Sequence, residues 1–234
     1  MKYEIEYKGL KEINGHIIIV ESTENISYDE VVTIIGADGE EKTGKVLEVS
    51  REYIVIQVFD NTIGLSLKDT RLRFRGKPLM IPVSTSMLGR VFNGLGKPVD
   101  GAPLPFSSIL RNVNGNPINP FAREYPEDFI QTGISIIDGM NTLVRGQKLP
   151  IFSGNGLPHN RLAAQITRQA RLLSGDDDFT IIFGAMGIKY DVAKFFLNTF
   201  EESRILSRVA MFFSLADAPS IERLITPRSA LTLA

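Results

Sequence analysis

Over roughly the first seventy-five positions, apolar residues come in short runs separated by turn signals. Residues 17–20, 31–35, 45–49 and 53–59 are rich in Ile, Val, Tyr and Phe, side chains that suit a pleated, half-buried surface. Between the second and third run stands Asp38-Gly39, a pair that tolerates the positive φ of a tight hairpin turn. Several short strands in so little chain predict a small antiparallel β-barrel, since closure removes exposed strand edges. Residues 70–77, TRLRFRGK, read as a solvated linker or barrel edge. Phe74 alone interleaves the basic side chains, which is too little aromatic surface for a nucleic-acid platform.

The pattern then changes. Residues 89–125 are dense in Gly and Pro and read as loop. Beyond them strands alternate with helices. Residues 149–152 read as a strand running into a glycine-rich turn. Residues 161–173 carry Leu162, Ala163, Ile166, Ala170 and Leu173 at helical spacing, with Gly175 as the stop. Residues 180–186 predict a buried strand, 191–203 a second amphipathic helix and 208–215 a third strand. A last helix is expected to start with Thr226 as N-cap and Pro227 at its first position. Strands joined by helices of this length imply right-handed crossovers and a parallel sheet. The expected organisation is a β-barrel over residues 1–75 and an α/β nucleotide-binding domain over residues 76–234. With three parallel strands and a short final helix, that second domain reads as incomplete, one sheet edge being left uncovered.

Composition narrows the chemistry. Lys and Arg number 26 against 27 Asp and Glu, for a net charge of −1, so no general attraction to nucleic acid or anionic lipid is expected. There is no cysteine, which excludes disulfides, thiolate nucleophiles and Cys-based zinc sites. The histidines, His16 and His159, are a poor metal set. No apolar run approaches the ~20 residues that span a bilayer. A cytoplasmic chain is expected, reaching a membrane only through partners.

A strand, a glycine-rich turn and a helix in this order are the setting of a phosphate loop, GxxxxGK[ST]. There, backbone amides and the helix N-terminus cradle phosphates, a lysine reaches the β/γ-phosphates and a hydroxyl binds Mg²⁺. The matching segment runs Ser153, Gly154, Asn155, Gly156, Leu157, Pro158, His159, Asn160. Pro158 stands where the last glycine would be and has no N–H. His159 replaces the lysine, and an imidazole does not carry a lysine's standing positive charge. Asn160 brings no hydroxyl. A positive charge about 4 Å from a phosphate oxygen contributes roughly 1–4 kcal/mol, so loss of the lysine alone is expected to weaken triphosphate binding by about one to three powers of ten. As plain backbone, the same string makes an ordinary strand-to-helix turn.

On these residues the chain resembles the B subunits of V-type and archaeal-type rotary ATPases. NTLVRGQKLPIFSGNGLPHN (residues 141–160) looks like the B-subunit form of the phosphate loop. MLGRVFNGLGKPVDG (87–101) is similar to the stretch that opens the nucleotide-binding domain of rotary ATPase subunits. GAMGIKYDVAKFF (184–196) and DAPSIERLITPRSALT (217–232) are further B-subunit-like strings. The resemblance covers essentially the whole chain. It also supplies a second test, because catalytic relatives carry a Gly-Glu-Arg sequence whose glutamate polarises the attacking water. Here the positions are Gly187, Ile188 and Lys189, and isoleucine can neither act as a base nor orient water. Arg161 departs from the pattern, which has an acidic residue there. Family members also continue past the position of Ala234, with a Walker B strand, an arginine that reaches the neighbouring catalytic site and a C-terminal helical domain.

The resemblance implies a non-catalytic, regulatory subunit of a proton- or sodium-translocating rotary ATPase. Its partners would be catalytic A subunits in an alternating hexameric ring and a central stalk, with the barrels forming a crown. No cofactor is required on this reading. Weak ATP or ADP contact at a subunit interface would fall on Gly154, Asn155, Gly156, Leu157, Pro158, His159 and Asn160. The competing readings are a stand-alone P-loop NTPase, which needs the absent lysine and glutamate, and an inert truncated fragment.

Overall fold

The computed structural model describes residues 5–172 and 179–234. Strands β1 (Ile5–Lys8), β2 (Glu12–Asn14), β3 (Ile17–Glu21), β4 (Val31–Ile35), β5 (Glu41–Val49), β6 (Tyr53–Val58) and β7 (Arg71–Phe74) form a seven-stranded sheet in the order β1-β7-β4-β5-β6-β3-β2. Every pairing in it is antiparallel. The two outermost strands are consecutive along the chain, so residues 5–14 bring the sheet's ends together as a barrel. Gly9, at φ +101°, makes the corner between them in a region where only glycine escapes a Cβ penalty.

Period-two alternation fills the interior. Ile54, Ile56 and Val58 of β6 point in while Tyr53, Val55 and Gln57 are half-exposed. They meet Ile18, Val20, Val32, Ile34, Val46, Leu72 and Phe74 in one buried cluster. The hairpin expected at Asp38-Gly39 joins β4 to β5, with Gly39 at φ +82° and the Asp38 carboxylate accepting the Glu40 N–H at 3.0 Å.

Two barrel readings need correction. The TRLRFRGK segment forms an interior strand, β7, between β1 and β4. Leu72 and Phe74 are buried while Arg71 and Arg73 face out, 3.6 and 3.9 Å from the Glu6 carboxylate on β1. Strand β5 begins at Glu41 rather than residue 45, because residues 41–44 pair with β4, and within it Lys42, only 4% exposed, donates its ammonium to Asn61 Oδ1 at 2.9 Å. A buried lysine of this kind hides the strand's inward face from a hydrophobic pattern.

Downstream, β8 (Met80–Pro82) pairs with β10 (Leu110–Asn112), flanking β9 (Val91–Asn93) in sequence. Then follow β11 (Phe129–Gln131), α1 (Ser135–Met140), β12 (Leu143–Val144), α2 (His159–Gln169), β13 (Arg171–Leu172), β14 (Ile181–Ile188), α3 (Tyr190–Glu202), β15 (Val209–Leu215) and α4 (Ser220–Leu233). Strands β14, β15 and β9 make the parallel sheet in that order. Its centre, β15, is buried on both faces, as a parallel strand between helices must be. Met211 and Phe213 pack on Ala193, Phe196 and Phe200 of α3. Phe212 faces the opposite way, onto Met87, Phe92 and the Ala230 side of α4.

The third parallel strand is therefore β9 and not residues 149–152, which have no regular structure. Ile151 and Phe152 are 48% and 93% exposed, so no apolar burial offsets the entropy of ordering them as a strand. Helix α2 starts at His159 and ends at Gln169, earlier than expected at both ends. Arg171 and Leu172 leave it to pair with β11, and Gly175 lies outside the described residues. The last helix begins at Ser220, so Thr226 and Pro227 lie inside it. Thr226 is fully buried, and its hydroxyl donates to the Glu222 carbonyl at 2.7 Å. Burial of Ile221 and Ile225 outweighs the roughly 3 kcal/mol that an interior proline costs. Those two side chains join Phe59 of the barrel, Ile81, Leu95 and Val113 in a seam between the two parts of the molecule. Among the described residues no helix is long and apolar enough to cross a membrane.

Candidate phosphate-loop site

Between residues 149 and 160 the backbone passes from irregular chain through an Asn155-Gly156 turn into α2. Gly156 takes φ +82°, the left-handed conformation that glycine adopts at no steric cost. Pro158 occupies the N-cap position, and no side chain caps the helix. Its carbonyl accepts the Leu162 N–H at 3.1 Å, while the His159 N–H turns back to the Leu157 carbonyl at 2.9 Å. Of the helix's opening amides, those of Asn160 and Arg161 have no partner among the described residues. A phosphate cradle draws on a run of such donors. Here proline removes one and the local turn consumes another.

The loop lies open on the described surface. Gly154, Asn155, Gly156, Leu157, Pro158 and His159 are exposed, and Asn160 is half-buried. A shallow cavity of about 300 Å³ adjoins the loop, where Leu157, Pro158, Asn160 and Arg161 meet Asp191 and Phe195 at the start of α3. Of the seven expected site residues, three line this cavity; Gly154, Asn155, Gly156 and His159 do not. Leu157, Val192 and Phe195 give it apolar walls. Among the described residues lining it, Asp191 and Arg161 bring one charge of each sign. The sequence pattern carried no sign of Asp191 or Phe195, because only the packing of α2 on α3 brings them beside the loop.

The other expected chemical position, Gly187-Ile188-Lys189, ends β14 and opens α3. Gly187 has φ +67°, and Lys189 is the N-cap of α3 in extended conformation. Ile188 packs against the cluster between α3 and β15, and its carbonyl accepts the Ala216 N–H at 2.8 Å. The Arg223 guanidinium donates to the carbonyls of Ala216 and Ala218, fixing the turn after β15. At this place in the fold Ile188 supplies an apolar side chain and Arg223 a backbone clamp.

A larger cavity, about 490 Å³, lies between α3 and the carboxyl ends of β9 and β15, floored by Val91, Phe213 and Leu215 and rimmed by Tyr190, Lys194 and Asp217. Its α3 contribution follows the i, i+3, i+4, i+7 spacing of Tyr190, Ala193, Lys194 and Leu197. That stripe reads in sequence as an ordinary core face.

Two sequence models of one family match separate stretches of the chain. The one described as the ATP synthase alpha/beta family, beta-barrel domain, matches residues 10–76. The one described as the nucleotide-binding domain of the same family matches residues 133–234. Among similar proteins, the V-type ATP synthase beta chain 2 of Treponema pallidum is 58% identical over 228 residues, covering 97% of this chain and 48% of that protein. The B subunit of the A-type ATP synthase of Aeropyrum pernix is 58% identical over 229 residues, covering 98% and 50%. The V-type ATP synthase beta chain of Halothermothrix orenii is 52% identical over the same length, again covering 98% and 50%. The chain thus spans about half the length of these relatives. With the barrel, the parallel sheet and both matches in the same order along the sequence, the chain belongs to the ATP synthase alpha/beta family.

Proposed function

We propose that the chain acts as a non-catalytic, regulatory B-type subunit of a V/A-type ATP synthase, in which residues 1–75 form the barrel domain and residues 76–234 belong to the nucleotide-binding domain. The observation that carries the non-catalytic reading is the opening of α2. Proline sits at the cap, His159 and Asn160 follow it in place of a lysine and a hydroxyl, and Asp191 lines the cavity beside the loop. High identity to proteins named as V-type beta chains and as the B subunit of an A-type enzyme supports this assignment. Its partners are catalytic A subunits in an alternating hexameric ring and a central stalk. Its work is to supply interfaces and transmit conformational change. It is a cytoplasmic protein, peripheral to the membrane through the complex. No cofactor is required, and any ATP or ADP contact at residues 154–160 is weak and belongs to a subunit interface.

Co-expression with a catalytic A subunit, followed by affinity capture of that subunit, tests the assignment. Stable stoichiometric co-assembly is the expected result; failure to assemble favours the inert-fragment reading. Phosphate release from the purified chain with Mg-ATP is expected to stay at background. Turnover that survives further purification would instead favour a stand-alone NTPase.

A further inference from the structure

Asp29, just before β4, stands at φ +63°, a conformation that Asp and Asn tolerate far better than other non-glycine residues. Its carboxylate accepts the Lys45 ammonium at 2.9 Å through Oδ1, and the two side chains are only 18% and 19% exposed. Through Oδ2 it accepts the side-chain amide of Asn114, eighty-five residues away. Asn114 Oδ1 in turn accepts the Arg228 guanidinium of α4 at 3.0 Å. The Asn114 turn is fixed independently, because its own N–H donates to Asn112 Oδ1 at 3.0 Å and the following Gly115 N–H to the Asn112 carbonyl at 3.0 Å.

Four side chains therefore run barrel, barrel, loop, helix, with charges alternating around one neutral amide. The amide's orientation is dictated by its neighbours: a carboxylate can only accept and a guanidinium can only donate. Asn114 is the piece that lets an anion and a cation too far apart to pair directly sense one another, since each hydrogen bond polarises the next. Beside the relay runs the apolar seam of Phe59, Ile81, Val113 and Ile225. The seam holds the two parts together by apolar burial, and the relay adds directional bonds beside it, as does the Val31 N–H that donates to the Lys77 carbonyl at 2.9 Å.

We infer that Lys45, Asp29, Asn114 and Arg228 form a polar latch that couples the barrel to helix α4, with Asn114 as its adaptor. A shift of the barrel then moves α4, and with α4 the turn after β9, where Gly94 is hydrogen-bonded to Glu222 and Ser229 of that helix. The latch is a property of this chain's own fold and does not depend on the functional proposal above.

The test is a mutant cycle on the full chain read by chemical denaturation. Asp29→Asn keeps the left-handed backbone and removes the charge. Arg228→Met keeps the aliphatic stem and removes the guanidinium. With Asn114 present, the double variant is expected to shift the folding equilibrium about fivefold less than the product of the single shifts, the range found for residues of one network. With Asn114→Ala, or the milder Asn114→Ser, that non-additivity is expected to vanish although Asp29 and Arg228 are both intact in the reference. Strict additivity with Asn114 in place, or coupling that persists without it, overturns the latch.

Discussion

Gly94, in the turn after β9, lies so close to Glu222 of α4 that a Cβ on it would sit 2.6 Å from the Glu222 Cγ and 2.7 Å from its carbonyl oxygen. The same pair is hydrogen-bonded, the Gly94 N–H donating to Glu222 Oε1 at 3.0 Å. Further along the same helix, the buried Ser229 hydroxyl donates to the Gly94 carbonyl at 2.7 Å. Both polar groups of this glycine are thus held by side chains of one helix, at a distance that admits no methyl group. The Glu222 carbonyl belongs to the helix backbone and cannot rotate aside.

Gly94→Ala is therefore expected to destabilise the fold by about 1–3 kcal/mol, the range for overpacking a filled site. The denaturation midpoint of the chain measures it. An unchanged midpoint would mean that α4 moves away from the β9 turn at little cost.

Pro227 lies within α4 and has no N–H for the Arg223 carbonyl. Pro227→Ala restores that donor and the helix propensity, so an increase of about 1–3 kcal/mol is expected, visible as a higher thermal midpoint. A lowered midpoint would show that the helix is built around the proline ring.

Asp100 receives the Arg90 guanidinium at 2.5 Å through Nε and at 2.9 Å through a terminal nitrogen. That hydrogen-bonded pairing, helped by the N–H groups of Ala102 and Val91, holds its carboxyl down to about 2 against burial, which acts the other way. A depressed carboxylate pKa stabilises the fold above the ordinary value and loses that contribution as pH falls through the folded value. Stability of about 1–2 kcal/mol, discounted for partial solvent screening, is expected to disappear between about pH 4 and pH 2. In Asp100→Asn this component of acid destabilisation should be absent, which a pH series of denaturation curves reads directly. Asp138 is shifted the same way, chiefly by the Thr132 hydroxyl and then by the N–H groups of Thr132 and Gly133, so it adds to the same acid limb in both proteins.

At the loop, His159→Lys supplies the missing cation in the first turn of α2. Tripolyphosphate binding is expected to strengthen about tenfold, within the range for one charge near a phosphate, as measured by calorimetry. Pro158→Gly with Asn160→Thr in the same background should add to it by returning an amide and a hydroxyl. No gain from the triple change would show that the restored cation, amide and hydroxyl do not limit binding at this loop.

Much of this was legible along the chain because the signals were local. Strands β3, β4 and β6 carry runs of Ile and Val, and the Asp38-Gly39 turn needs no more than its own two residues. The string at 154–160 likewise places Pro158, His159 and Asn160 at the start of α2 without reference to anything distant. Where the reading failed, a non-local contact had outvoted the local preference. Leu72 and Phe74 were masked by the arginines beside them, and β7 exists because β1 and β4 lie on either side. Thr226-Pro227 has the form of a helix start, yet Ile221 and Ile225 extend the helix upstream by burying themselves in the seam.

By itself, then, the sequence determined the kinds of element, the change from barrel to parallel sheet and the residue types at the start of α2, since each depends on side chains adjacent in the chain or one helical turn apart. The tertiary structure alone decided that β9 pairs with β15 while residues 149–152 stay unpaired, that Asp191 and Phe195 close on the loop, and that Asn114 joins Asp29 to Arg228. These rest on free-energy differences between alternative long-range pairings, in which buried area and partnered charge are summed over residues far apart, and no window of sequence contains both sides of that sum.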